Sequence, residues 1–413
     1  MTRRLVLLGA GASVDAGIPA STAMTERLGR ELADRGRNRY TGVTHAYNYA
    51  VGALIAHHSA AGGDPYAGID VEQLFSAVQM LGSRDELEIA PFVEWAPALE
   101  ALGPPPRVPG FWERDFKRAM ERRGGDPAAE IVKLITSQTG SNSSTKVFRE
   151  LEAELLSVLT QSLQVDPERT TYLEGLISQE AMPVRIATLN YDLALETVSR
   201  RMGKTLDTGI EQWRGGYDWE WKSAADIHLL KLHGSIDWTI QNISNRGQLP
   251  QPTISVKGAD SIDSRFRAQP GLVFGARGKV RAEGPFLAML QAFDLLLDQT
   301  DQLIVVGYSF RDEHINVALS RWVNSKADPK LTVVDPAFMS VARSRGNNYQ
   351  SRLLGVAQNW DADSQSYVSK LDLEVVPKYA REGLKIALED ASDWKYRDGR
   401  PGRPEWLGDS IPA

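Results

Sequence analysis

The sequence predicts an α/β fold: a Rossmann-like, doubly wound parallel sheet carrying a large helical insertion. Three observations predict it. Short apolar runs recur without the polar alternation of a half-exposed strand, so both faces of each strand are covered. Helical patterns follow most of these runs. Five of the runs end in glycine, asparagine, histidine or aspartate, at the edge where open α/β sheets hold ligands.

The runs are Arg4–Leu8, Val184–Leu189, His228–Leu232, Leu303–Val306 and Leu331–Val334, with Leu371–Val376 as a sixth candidate. Helices are expected over Ser21–Asp34, Leu193–Arg201, Asn316–Val323 and Tyr379–Glu389. Between the first two strands, from about 34 to 182, the chain reads as mostly helical. Val71–Leu81 and Phe148–Leu163 are the clearest cases there. Pro- and Gly-rich breaks fall at 61–68 and 103–110, and the polar run 137–145 (SQTGSNSST) reads as a loop. The expected organisation is therefore 1–34 plus 183–390 as the sheet domain and 35–182 as a helical insertion or small separate domain. Residues 391–413 form an irregular Gly/Pro-rich tail, in which Trp406 and Leu407 are candidate anchors.

Composition excludes several classes. The 413 residues are 42% hydrophobic, enough for a real core. A formal net charge of −6 offers no general attraction to nucleic acid or an anionic membrane. With no cysteine there is no disulfide, no thiolate nucleophile and no four-cysteine zinc site. Six histidines make a His-rich metal centre a poor expectation, and no metal is expected. The apolar start is too short for a signal segment and no run reaches membrane-spanning length, so a cytoplasmic location is expected.

The strand ends carry the chemistry. Gly9-Ala10-Gly11-Ala12-Ser13, followed by Gly17-Ile18-Pro19, is a tight turn between a strand and a helix, where backbone N–H groups can face a diphosphate. The dinucleotide fingerprint would place glycine at 14, where Val14 stands, which disfavours a dehydrogenase. Thr188-Leu189-Asn190-Tyr191-Asp192 offers a donor–acceptor and an acceptor, although Asp192 equally suits a helix cap. Leu232-His233-Gly234-Ser235 places a proton-shuttling imidazole on the same edge. Val306-Gly307-Tyr308-Ser309-Phe310-Arg311-Asp312 is another small-residue turn. Val333-Val334-Asp335-Pro336 ends a strand in an acid able to bind ribose hydroxyls, or in a plain loop acid before proline.

In this order the motifs resemble the sirtuin family: GAGAS…GIP, TLNYD, LHGS, GYS and the late acid. Sirtuin deacylases carry a four-cysteine zinc ribbon between the HG and GxS motifs, whereas residues 239–302 here contain no cysteine. Ala20-Ser21-Thr22 stands where they have an aromatic and an arginine. Those departures, with the GYSFRDEHIN run, resemble the sirtuin-like effectors of bacterial antiphage defence. That resemblance implies hydrolysis of NAD+, as substrate, to nicotinamide and ADP-ribose. It implies Asn190, His233 and Asp192 as catalytic, with Gly9, Ala10, Gly11, Ser13, Asp15, Gly307, Ser309 and Asp335 binding the dinucleotide. It also implies a homo-oligomer restrained by a separate partner, a HerA-like ATPase ahead of an Argonaute-type protein, without direct nucleic-acid or membrane binding. The competing reading is an oligomeric module that senses NAD or ADP-ribose without turnover.

Overall fold

The computed structural model describes residues 3–36, 41–65, 68–95, 97–100, 143–179, 183–216, 218–243, 251–256, 269–272, 285–344, 348–357, 360–361, 366–367 and 370–389. The chain divides into two compact units, Met1–Ala20 with Ser162–Ala413, and Ser21–Gln161. The expected break at 103–110 and the tail 391–413 lie outside the described residues.

The first unit is built on strands β1 (Arg4–Leu8), β2 (Val184–Thr188), β3 (Leu206–Asp207) and β4 (Ile227–Lys231). β5 (Gly234–Ile243), β6 (Gln251–Val256) and β7 (Gln269–Leu272) follow, then β8 (Gln302–Val306) and β9 (Lys330–Val334). A short β10–β11 hairpin (Trp360–Asp361, Ser366–Tyr367) and β12 (Asp372–Val376) complete the set. Seven of these form one sheet in the order β12-β9-β8-β1-β2-β4-β3, every pair parallel. The order reverses between β1 and β8, the switch point where the carboxyl edge opens. The six runs read from sequence are six of these strands. β5 pairs antiparallel with β6 and β7 in a separate sheet between the histidine and GYS motifs, where no strand is expected from the sequence.

In the second unit α1 (Ser21–Gly36), α2 (Thr41–Ala60), α3 (Val71–Gly82) and α4 (Ser143–Ser162) are helical. α1 groups with this unit rather than with β1. Its apolar face and those of α3 and α4 bury Leu28, Leu74, Phe75, Val78, Phe148, Leu151 and Leu155. Asp70 starts α3 by accepting from Glu72 N at 2.8 Å, a side-chain cap. Helix α4 already begins at Ser143, so the end of the expected loop 137–145 is helical. Thr145 is buried there and bonds Asp85, which holds a polar residue inside the first turn.

Each face of the parallel sheet has its own core, because side chains alternate along a strand. One face buries Leu5, Leu7, Leu303, Val305, Leu331 and Val333 beside α6 (Phe286–Asp298) and α7 (Glu313–Ser325). The other buries Val6, Leu8, Ile186, Leu229, Ile304 and Val306 beside α5 (Ala194–Arg201) and α9 (Ala380–Leu388). α8 (Tyr349–Ala357) lies between β9 and β12 in sequence and packs on the first core. Each such Leu or Val stabilises by about 1.5–3 kcal/mol, which is why apolar residues dominate the runs.

Candidate active site

At the switch point the turn after β1 packs directly on the turn after β8. Gly11 N donates to Gly307 O at 2.8 Å, and Gly9 N donates to Val306 O at 2.9 Å. A Cβ on Gly9 would stand 2.6 Å from Gly307 O, and one on Gly11 2.8 Å from Gly307 Cα. Gly307 has φ +59° and leaves 2.3 Å between its own Cβ position and Ala12 N. The three glycines are therefore required for two backbones to touch. This packing duty is one that the sequence did not suggest. Ala10 and Ser309 are the exposed residues of the two turns.

Below that contact is a buried polar cluster. Asn190 Nδ2 donates to Gly9 O at 2.9 Å and to Ser13 Oγ at 2.8 Å, and Ser13 Oγ donates to Asp192 Oδ2 at 2.7 Å. Asp192 Oδ1 accepts from Ala194 N at 2.9 Å, the Asx turn expected there, while the N-cap position itself falls to Leu193, one residue later, which makes no side-chain cap. Asn190 is placed in turn by its own N–H, which donates to Thr188 Oγ1 at 3.0 Å. Asn190 and Asp192 are only 8% and 6% exposed. As they stand, the two residues lock the second motif to the first.

Lys231, which the sequence reading passed over, supports this cluster from the next strand. It is 1% exposed, and its Nζ donates to Asp192 O at 2.6 Å and to Glu196 Oε1 at 2.8 Å. Burial pushes the Glu196 carboxyl up from its ordinary value. Lys231 opposes that shift, and Asp237 adds to it. A small pocket at this edge is lined by Leu8, Ser13, Thr188, Asn190, Asp192 and Lys231, among others. Tyr172 closes the turn from outside by donating its hydroxyl to Ala12 O. Burial raises that phenol's pKa well above the ordinary value, with the Asp192 and Asp15 charges adding to it.

His233 lies on the same edge, two residues past β4, and is 4% exposed. Leu232 N still donates to Thr188 O at 2.9 Å, which carries the strand ladder up to the imidazole. His233 Nε2 lies 2.8 Å from Asp312 Oδ2. The Tyr191 ring is 6.0 Å away, centroid to centroid. Asp312 belongs to the GYSFRDEHIN run but has no role in the sequence reading. An acid before a helical pattern at a strand end was the available signal. The loop that carries it is strained: Phe310, at φ 56°, is the one non-glycine with positive φ among the described residues. That conformation costs about 1–2 kcal/mol. It is held by ring contacts of Phe310 with Tyr308, Phe338 and Tyr349 and by Asn316 Nδ2 donating to Phe310 O at 2.8 Å.

The remaining expected binding residues make contacts of their own. The Asp15 carboxylate accepts from Arg381 N at 2.8 Å at the start of α9, and its carbonyl accepts from Arg169 and Arg381. Ser309 presents its carbonyl to Gln350 Nε2 at 2.9 Å. Asp335 Oδ1 accepts from Ala337 N at 2.7 Å, the loop role that its position before proline suggested. Burial nevertheless raises its pKa above the ordinary carboxylate value.

The fold is an open parallel α/β protein with buried polar residues gathered at its switch point. Residues 184–354 match the SIR2-like domain. That span contains Asn190, Asp192, His233, Gly307, Ser309, Asp312 and Asp335, and it leaves out the Gly9–Pro19 turn. No curated protein matches the chain by sequence. Among solved structures, a mutant Sir2 homologue in complex with 2'-O-acetyl ADP-ribose is 11% identical, covering 94% of this chain and 92% of that one at a TM-score of 0.37. At that score the likeness says nothing about the site. Among the described residues no helix is long and apolar enough to cross a membrane.

Proposed function

We propose that this chain binds NAD+ as substrate and hydrolyses its nicotinamide–ribose bond. One observation carries the reading. A buried histidine–carboxylate pair and the Ser13–Asn190–Asp192 cluster lie at the ends of neighbouring parallel strands, beside two interlocked glycine turns. The match of residues 184–354 to the SIR2-like domain supports it.

Nicotinamide leaves as a neutral base from a cationic pyridinium, so the departure needs no general acid. The C1'–N bond breaks with its electron pair going to nitrogen, through an oxocarbenium-like transition state. A water oxygen bonds to C1', and its proton passes to His233 and on to solvent. The products are nicotinamide, ADP-ribose and one proton. Asn190 and Asp192 hold the glycine turn against which the nicotinamide ribose would rest. Ala10 and Ser309 face the solvent where the diphosphate would lie, and Asp335 would take the adenosine ribose.

The physiological extension is an NAD-depleting effector of antiphage defence, acting as a homo-oligomer restrained by a HerA-like ATPase or, second, an Argonaute-type protein. It is supported by the sequence resemblance alone, that is, by the missing cysteines, Ala20-Ser21-Thr22 and the GYSFRDEHIN run. The direct test is chromatography of NAD+ incubated with wild-type protein and with His233→Ala, alone and with candidate partners. Nicotinamide and ADP-ribose in equal amounts from wild type, and neither from the folded variant, is the expected result. Intact NAD+ bound without turnover in every combination sinks hydrolysis in favour of the sensing module.

A further inference from the structure

We propose that Asp312 is a positioning residue for His233: it selects the imidazole tautomer that can accept a proton, and the strained β8–α7 loop exists to aim it. The role in turnover rests on the hydrolysis reading above; the tautomer does not.

The geometry separates two duties of one carboxylate. Oδ1 accepts from His314 N at 3.1 Å and so caps α7. Oδ2 faces His233 Nε2 at 2.8 Å. An ionised carboxylate can only accept, so Nε2 must carry the proton and the lone pair of the neutral ring falls on Nδ1. A cap alone would not require the rest of the loop to be clamped. Yet the Tyr308 hydroxyl lies 3.0 Å from Asp312 O and accepts from Asp312 N at 3.2 Å, gripping the residue by both backbone groups. Asn316, one helical turn into α7, lies 3.1 Å from that hydroxyl and holds the carbonyl of Phe310, the residue at positive φ. Backbone strain concentrated beside a buried titratable pair is a mark of functional positioning. The arrangement also crosses the sheet. His233 follows β4 and Asp312 follows β8, with β1 and β2 between those strands, so the pair joins the two halves that meet at the switch point.

Asparagine and serine cap helices as well as aspartate does, so Asp312→Asn and Asp312→Ser keep one duty and delete the other. With the full-length protein, both variants are expected to stay folded, with the unfolding temperature lowered only by the lost buried contact to His233. Their kcat for nicotinamide release is expected to fall at least about 100-fold with KM changed little, the size of a lost acid–base contribution. Asp312→Glu, which restores the charge, should recover part of that loss. Nitrogen NMR of histidine-labelled protein gives a readout that needs no turnover. His233 should be an Nε2–H tautomer in wild type and should change its tautomer balance in Asp312→Asn. Full kcat in a folded Asp312→Ser, or an Nδ1–H tautomer in wild type, overturns the proposal. An inactive wild type with the expected tautomer counts against hydrolysis and leaves the positioning role standing. Should both capping variants fail to fold, the wild-type tautomer alone decides.

Discussion

Substituting Gly307 by alanine tests whether the two glycine turns are a single packed unit. The new Cβ would lie 2.3 Å from Ala12 N, 2.4 Å from Gly11 C and 2.6 Å from Gly11 Cα. All three are backbone atoms, so no side chain can swing aside, and the turns must part by about 1 Å to restore ordinary contact. Parting them breaks the 2.8 Å bond from Gly11 N to Gly307 O, a buried loss of about 1–3 kcal/mol. The left-handed φ adds about 1–2 kcal/mol for any L side chain. The expected destabilisation is therefore about 2–5 kcal/mol. Gly203 supplies an internal control, since its φ of +66° is similar and nothing lies within 4 Å of its Cβ position. Gly203→Ala should lose only the conformational part, about 1–2 kcal/mol. Urea unfolding followed by tryptophan fluorescence measures both. If Gly307→Ala costs no more than about 1 kcal/mol beyond Gly203→Ala, the turns are not interlocked and the backbone-contact reading of these glycines fails.

Other outcomes follow from the same contacts. Lys231→Met strands Glu196 in a buried site beside Asp237 and should destabilise by about 3 kcal/mol at pH 8. The loss should shrink toward pH 5, because a carboxyl whose folded pKa is raised loses stability as pH climbs through that value. Adding Glu196→Gln should recover much of the loss in the same urea melts. Tyr47 is buried, donates to Thr25 O at 2.6 Å, and has its pKa pushed up to about 12, mainly by burial and then by Glu26. Its contribution, roughly 2–3 kcal/mol, is complete below pH 10 and disappears as pH rises toward 12, so Tyr47→Phe should flatten that alkaline limb in pH-dependent melts. His228 stacks on Trp221 at 5.3 Å, and burial lowers its pKa. Its share of stability is present above about pH 6.5 and lost as pH falls through the lower folded value, a limb that His228→Gln should remove. Asp335→Asn should raise KM for NAD+ about tenfold with kcat little changed, measured by initial rates; an unaltered KM removes Asp335 from the substrate site.

Much of the sheet was legible because a strand covered on both faces must be apolar at successive positions, as the runs Arg4–Leu8 and Leu303–Val306 are. The turn ahead of a helix was legible where a short polar side chain meets a free N–H group, as Asp192 does for Ala194. The antiparallel strands β5–β7 were missed because alternating, partly polar segments such as Gly234–Ile243 carry a weaker signal than an apolar run. Lys231 was passed over for a related reason. A charge inside the run IHLLK looks like a blemish until its partners Glu196 and Asp192 are seen.

By itself the sequence determined the class of fold and the edge of the sheet on which the polar residues gather, since hydrophobic period and strand-end chemistry are local properties. Only the tertiary structure decided what those residues do to one another. It showed that Gly9 and Gly11 press against Gly307, that Ser13 joins Asn190 to Asp192, and that His233 answers to Asp312 across 79 positions of chain. Such pairings depend on the order in which strands lie side by side. That order is set by how the whole core packs, and no window of the sequence contains it.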